Sequence, residues 1–410
     1  MHIIRKVILM LLIGLMTSAL VAKSTEKTFS QWRGLNRDGK YQESNLLKQW
    51  PSEGPKLLWS AAYLGKGYSS VAVTSAGIFT TGMLEDKGYV FAFDMNGKLR
   101  WKTAYGIEFK KSYEGSRTTP TVVDDLLYVE GTSGDLVCMR TDGGEILWKI
   151  NLMDTYSARK IRWGLTESIL IDGDRLICTP GGTTTNVVAL DRYTGELIWS
   201  SEGGGETAAY CSPTLIEHGG KRIIVTMTGK SILGLNAENG KLLWKHAHTT
   251  KYDINPNTPY YQDGKIYCVS GYGTGGVQLQ LSKDGESVTE IWRNSTLDSQ
   301  MDAFVVVDGY IYGASHKKAG WHCLDWNTGE EQYVSPGIGK ANVILADGLL
   351  YSYADNGKFG LIQPNSESFE LISSFKITQG SNQHWAHPVI SDGVLYIRHG
   401  EILMAYDIKG

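Results

Sequence analysis

TESILIDGDRLICTPGGTTTNVVALDRYTGELIWSSE, residues 166–202, is the stretch whose reading decides the fold. An apolar run, SILI (168–171), meets a turn at Asp172-Gly173-Asp174, and a second run, RLICTP (175–180), follows. A third, NVVALD (186–191), passes through Tyr193-Thr194-Gly195 into a fourth, ELIWS (196–200). Runs this short, punctuated by glycine and aspartate turns, are antiparallel hairpins. The segment is a four-stranded sheet with an indole near its outer end.

The same order recurs along the chain at a period of about 45 residues, a spacing that belongs to propellers and solenoids. Copies occupy 68–102, 119–149, 211–245, 258–293, 302–334 and, more loosely, 342–375. The last, HPVISDGVLYIRHGEILMAYD (387–407), stops after three runs. Its missing fourth run stands at the other end of the chain, where GPKLLWSA (54–61) copies GKLLWKHA (240–247). A linear stack needs no such exchange. A ring does, because pairing the two ends in one sheet removes the free edges that an open stack exposes. The expected fold is therefore all-β: one eight-bladed propeller of four-stranded antiparallel blades over 54–410, or seven blades if 342–375 merges with a neighbour. The fourth-strand aromatics are read as Trp59, Trp101, Trp148, Trp199, Trp244, Trp292, Tyr333 and Phe375. An indole on each outer strand can lie against the turn glycine of the adjacent blade.

Composition agrees. Glycine reaches 48 of 410 residues, spread evenly, and 12 Trp and 22 Tyr accompany it; aromatic residues favour strands. A net charge of −3 argues against a nucleic-acid partner. Five cysteines fall one per repeat within apolar runs, with no metal spacing, and read as small buried hydrophobes. Arg5, Lys6 and the apolar run Val7–Leu20 read as a signal peptide over 1–22, cleaved after Ala19 or Ala22. A periplasmic or secreted monomer follows, with no transmembrane segment after cleavage. Residues 23–53 form an extension that Trp32 anchors along the side of the propeller.

ALDRYTGELIW (189–199), with its small residue, turn glycine and indole at fixed offsets, resembles the tryptophan-docking motif of the PQQ-repeat propellers. That family includes quinoprotein dehydrogenases and BamB-like outer-membrane assembly proteins, and the resemblance covers about residues 54–410. It implies a fold and leaves the activity open.

Chemistry is sparse. Gly271-Tyr272-Gly273-Thr274-Gly275-Gly276 matches a dinucleotide fingerprint, but a strand pattern follows it, not a helix, so it reads as a hairpin turn. The loops entering the innermost strands converge at one mouth of the channel. Arg117, Thr118, Trp163, Asn342, Trp385 and His387 are the binding candidates there. Convergent polar groups with aromatic walls suit a small molecule.

The dehydrogenase resemblance implies a sharper assignment. Glu167, Asn257 and Asp302 are the oxygen ligands Ca²⁺ prefers, Asp302 would serve as general base, Arg117 would face the carboxylates of PQQ, and Trp163 or Trp385 would stack on it. Against that assignment, the sequence has no adjacent cysteine pair and no haem-attachment CxxCH, and it is shorter than the alcohol-oxidising members. The expectation is a non-catalytic, cofactor-free envelope scaffold, BamB-like, that binds a protein or small molecule at the mouth. A PQQ- and Ca-dependent dehydrogenase of alcohols or sugars is the alternative.

Overall fold

The computed structural model describes residues 28–301, 303–317 and 320–410. Eight antiparallel blades form a closed ring. In chain order they occupy 72–107, 121–151, 170–201, 214–247, 260–294, 304–335, 341–376 and 389–407, each running from innermost to outermost strand. Blade 8 takes its outer strand from Lys56–Ala61, which pairs with Ile402–Asp407 so that Leu57 faces Tyr406 and Trp59 faces Ala405. The ring is closed by the two ends of the repeat region, and the looser copy at 341–376 is a complete blade of its own.

Every outer strand carries a β-bulge at one register. It falls just before the docking aromatic in blades 1 to 6 and 8, at Arg100, Leu147, Ile198, Leu243, Ile291, Gln332 and Leu58. A bulge adds one residue to the strand, turns it and re-aims the next side chain. Here the next side chain is the indole, aimed at the following blade. A Cβ on Gly97, Gly144, Gly195, Gly240 or Gly329 would sit 2.4–2.9 Å from an atom of Trp59, Trp101, Trp148, Trp199 or Trp292 respectively. Each of these turns has positive φ, so glycine satisfies both the backbone and the ring above it. Each indole N–H then donates to a turn carbonyl, from Trp59 to Met95, Trp101 to Thr141, Trp148 to Arg192, Trp199 to Ala237 and Trp292 to Trp326, at 3.0–3.2 Å.

Three interfaces depart from this pattern. Between blades 4 and 5 the Trp244 indole N–H has no partner among the described residues and meets no turn glycine there. His218, from the hairpin of blade 4, takes its place and donates from Nε2 to Ser282 O at 2.9 Å. Tyr333 stands at the expected register of blade 6 but docks on no glycine. In blade 7 the bulge is Ile372, so the docking register belongs to Ser373 and not to Phe375. Phe375 lies two residues further on and packs against Gly54 and Trp50 of the N-terminal extension. Trp50 N donates to Ser373 Oγ.

The extension corrects a second expectation. Only its later part, residues 46–54, lies along the side, on blades 7 and 8, while residues 28–41 cross the channel. Phe29–Ser30 extend the innermost strand of blade 2, pairing with Val122 and Val123, and Lys40–Tyr41 run parallel to Leu345 and Ala346 of blade 7. Between them Arg33 and Arg37, both buried, reach the walls. Arg33 donates to Phe304 O at 2.8 Å and Val343 O at 3.4 Å. Arg37 donates to Ser168 O and Pro213 O at 2.9 Å each, and to Ile169 O. Innermost strands leave backbone carbonyls facing the channel, and buried carbonyls need donors. Two guanidiniums, each with five N–H groups, supply them. The strap closes the far end of the channel and leaves a blind cup at the mouth.

The five cysteines are buried and unpaired with one another. Burial holds the Cys138 and Cys323 thiols up at about 12, so they are protonated hydrophobes. No helix among the described residues is long and apolar enough to cross a membrane; the signal-peptide segment lies outside them.

Candidate functional site

The cup at the mouth has a volume of about 520 Å³, within the usual range for small-molecule sites. Two kinds of loop build it, those leading into innermost strands and those joining second to third strands. The strap supplies its floor. Trp32 donates from its indole to Thr258 Oγ1 at 3.1 Å and packs edge-on against His387 at 4.6 Å between centroids. His387 is buried and neutral: burial and the neighbouring Arg33 push it down to about 3. Its Nε2 donates to Met301 O at 2.7 Å, and Nδ1 faces Arg33 at 3.5 Å.

The walls are aromatic. Trp385 sits between Tyr68 and Tyr113, at 5.1 and 4.8 Å. Across the cup Trp163 packs near Tyr210, and Tyr252 meets Tyr272 edge-on at 5.4 Å. Tyr113, Tyr210, Tyr272 and Met301, all lining residues, have φ between 49° and 72°. A non-glycine residue in the left-handed region costs of order 1–3 kcal/mol, and such residues gather at ligand sites. Four around one cup is a concentration that turn-making alone does not require.

Arg117, Arg162 and Lys340 supply the charge. Burial lowers both Arg117 and Lys340 from their ordinary values. Arg162 is exposed and lies 4.7 Å over the Trp163 ring; a guanidinium over an indole face is a cation–π contact. Among the described residues no aspartate or glutamate lines the cup.

Of the mouth candidates, Arg117, Trp163, Trp385 and His387 are in the wall. Thr118 and Asn342 are not. Thr118 Oγ1 donates to Glu130 O at 2.6 Å and Asn342 Nδ2 to Trp385 O at 2.7 Å, so both fasten the blades beneath. The Ca²⁺ set is also displaced. Glu167 is buried at the entry to blade 3, where Oε2 accepts from Thr179 N at 2.9 Å. It borders a separate cavity of about 10 Å³, room for about one water. Asn257 Nδ2 ties Val269 O to Ser299 O across blades 5 and 6. Asp302, the expected base, lies outside the described residues. No group of three or more His, Cys, Asp or Glu among the described residues is placed to hold a metal ion. Two of the three residues named for Ca²⁺ therefore serve the frame and do not fit the ion.

The glycine-rich stretch 271–276 is a hairpin turn between Lys265–Ser270 and Gly275–Leu281. It nevertheless delivers Tyr272 to the cup. Trp32, Tyr113, Arg162, Tyr252, Gln300, His316 and Lys340 are further wall residues that alignment of the inner-strand starts did not reach. Tyr113, Arg162 and Tyr252 sit in the longer connections before blades 2, 3 and 5, and that extra length was the available signal.

The family model described as outer membrane protein assembly factor BamB matches residues 54–334. The chain belongs to this PQQ-repeat family. Relatives include the outer membrane protein assembly factor BamB of Kangiella koreensis, 27% identical over 211 residues, half of this chain and 49% of that protein. The chain thus spans about half the length of that relative. The protein of the same name from Yersinia pestis is 22% identical over 65% of this chain and 68% of its own length. Among solved structures, BamB from Moraxella catarrhalis aligns over 86% of this chain and 97% of its own, with TM-score 0.62 and 15% identity. Quinohemoprotein alcohol dehydrogenase from Comamonas testosteroni aligns over 96% and 82%, with TM-score 0.65 and 11% identity. At such identities the likeness shows the shared propeller alone.

Proposed function

We propose that the chain is an exported, non-catalytic scaffold of the cell envelope that binds protein partners, as its assembly-factor relatives' names indicate for them. The observation that carries this reading is the outer rim. The bulge that aims each docking indole inward throws the preceding side chain outward, and at Leu58, Leu147, Ile198 and Ile291 that side chain is aliphatic and 40–46% exposed. Leu57, Leu99, Ile146 and Leu197, one position earlier, are exposed too. Large aliphatics repeated at one exposed register suit a partner surface.

The dehydrogenase alternative would need a metal and a base at the mouth. Glu167 and Asn257 give it little support, being tied into the frame, while Arg117, Trp163 and Trp385 do face the cup.

The test is photo-crosslinking in the living envelope from positions Leu147 and Ile198. Adducts with outer-membrane assembly proteins, lost in Leu147→Asp and Ile198→Asp chains of unchanged melting temperature, are the expected result. Absence of adducts, together with PQQ- and Ca²⁺-dependent dye reduction by the purified protein, would overturn it.

A further inference from the structure

The loop joining blade 7 to blade 8, residues 377–388, is held at its first half by side chains alone. Among the described residues no backbone–backbone hydrogen bond reaches 378–383. Two carbonyls of that stretch instead face one buried ring. His399, the last residue of Val394–His399, places Nδ1 2.6 Å from Gln379 O and Nε2 2.9 Å from Asn382 O. The loop lies so close that a Cβ on Gly380 would sit 2.2 Å from His399 O, and Asn382 is held at φ 71°. A non-glycine residue keeps that backbone only where its surroundings impose it.

A neutral imidazole has one nitrogen that donates and one that accepts. His218 and His387 obey this. Each faces one carbonyl, Ser282 O or Met301 O, and one group able to donate, Tyr261 Oη or Arg33 Nη1. His399 faces two carbonyls, which only accept. Both contacts are hydrogen bonds only when both nitrogens carry hydrogen, as in the imidazolium. Removing either proton sets a nitrogen lone pair against a carbonyl oxygen at the same short distance.

The groups around the ring suit a single positive charge. His384 stacks on it at 3.6 Å between centroids and 17° between planes, and Tyr353 Oη lies 2.5 Å from His384 Nδ1. Burial, His399 and Lys376 push His384 down to about 4, so the second ring of the stack stays neutral. Glu401, on the adjoining turn, attracts the His399 ring electrostatically and accepts from Ser381 Oγ at 2.6 Å. Arg398, the preceding residue, turns away to Ser69 Oγ, Thr81 O and Gly400 O.

We propose that His399 is a proton-operated clasp: protonated, it holds residues 379–382 against blade 8, and deprotonated, it releases them and lets Gln383, His384 and Trp385 shift. Histidine is the side chain whose charge changes in the physiological range, and a loop with few backbone bonds opens locally at little cost. The clasp is independent of what the rim binds.

The experiment is nitrogen-15 NMR of the whole labelled chain from about pH 5 to about pH 9, a range that brackets histidine titration. It reads the His399 ring nitrogens, identified by the ring's contact with His384, together with backbone order at 379–383. Both His399 nitrogens carry protons at the acid end, and loss of one proton and loss of loop order follow a single shared curve. His399→Gln, which has one donating and one accepting group, leaves the loop disordered at every pH. His384→Phe, which keeps the stack and removes the other titrating ring, leaves the curve in place. If His399→Gln does not fold, the parent titration decides alone. A His399 ring with one bare nitrogen throughout, a loop equally ordered at both ends of the range, a pH dependence that survives in His399→Gln, or one that vanishes in His384→Phe would each overturn the assignment.

Discussion

The indole nitrogen of Trp59 donates to the carbonyl of Met95 at 3.0 Å, and the ring lies where a Cβ on Gly97 would be. One strand, Lys56–Ala61, is thereby bonded to blade 8 through its backbone and to blade 1 through its side chain. The same contact that repeats inside the ring also closes it.

Deleting residues 54–61 should consequently open two interfaces at once, exposing the edge of Ile402–Asp407 and the turn of blade 1. Exposed edges template aggregation. We expect aggregation on heating and a lower melting temperature, 1 kcal/mol being worth roughly 2 °C or less in a domain larger than 250 residues. A deletion chain that melts like the parent would show that the ring does not depend on this strand.

The docking indoles should separate into two classes. Trp199→Ala should cost roughly 3–5 kcal/mol. Trp199→Phe should lose about 0.5–1.5 kcal/mol with its bond to Ala237 O. Trp244→Phe should stay within about 1 kcal/mol of the parent, because it removes a buried N–H that has no partner among the described residues. Urea midpoints measure all three; equal losses for the two Phe variants would contradict the distinction.

Arg37→Gln should loosen the strap. Three backbone carbonyls lose a charged donor at one stroke, a loss of at least about 2 kcal/mol. Hydrogen exchange at residues 28–41 should rise with it. Unchanged exchange would mean that the strap is held by its strand pairing alone.

Above about pH 6.5, where the buried histidines His387, His248 and His384 are neutral folded or unfolded, stability should fall with rising pH. Burial pushes the Glu167 carboxyl up to about 8 from an ordinary value of 4.5, and Glu130, both of whose carboxyl oxygens lack a partner among the described residues, is raised as well. Up to pH 8 the unfolded chain has released a carboxyl proton that the folded chain keeps, so between pH 6.5 and 8, clear of the histidines' opposite contribution, unfolding gains and stability declines. The slope approaches about 1.4 kcal/mol per pH unit for each such carboxyl and flattens above the folded value. Glu167→Gln should reduce the slope between pH 6 and 8 by one carboxyl's share; an unaltered slope would remove Glu167 from this role.

The ring and the closing strand were legible because most blades repeat one glycine turn followed by one indole, and the count of eight because the looser copy at 342–375 keeps the four-run order. Phe375 was misplaced by two residues because a bulge shifts register without changing the apolar pattern, so only the pairing of Leu361 with Ser373 reveals it. The mouth was half legible. Arg117, Trp163, Trp385 and His387 follow from equivalent positions in successive repeats, but Trp32 stands outside the repeat and no periodicity could bring it to the axis. Glu167 and Asn257 failed for a different reason. Residue type and blade order matched a metal set, whereas side-chain direction, which the sequence does not carry, turned both into the frame.

Deletion of the gene in its host, followed by quantification of outer-membrane proteins, tests the scaffold reading most directly. Their abundance should fall, and the wild-type chain should restore it where the Leu147→Asp, Ile198→Asp chain does not. Unchanged outer-membrane protein levels, with loss of an alcohol- or sugar-oxidising activity instead, would contradict it.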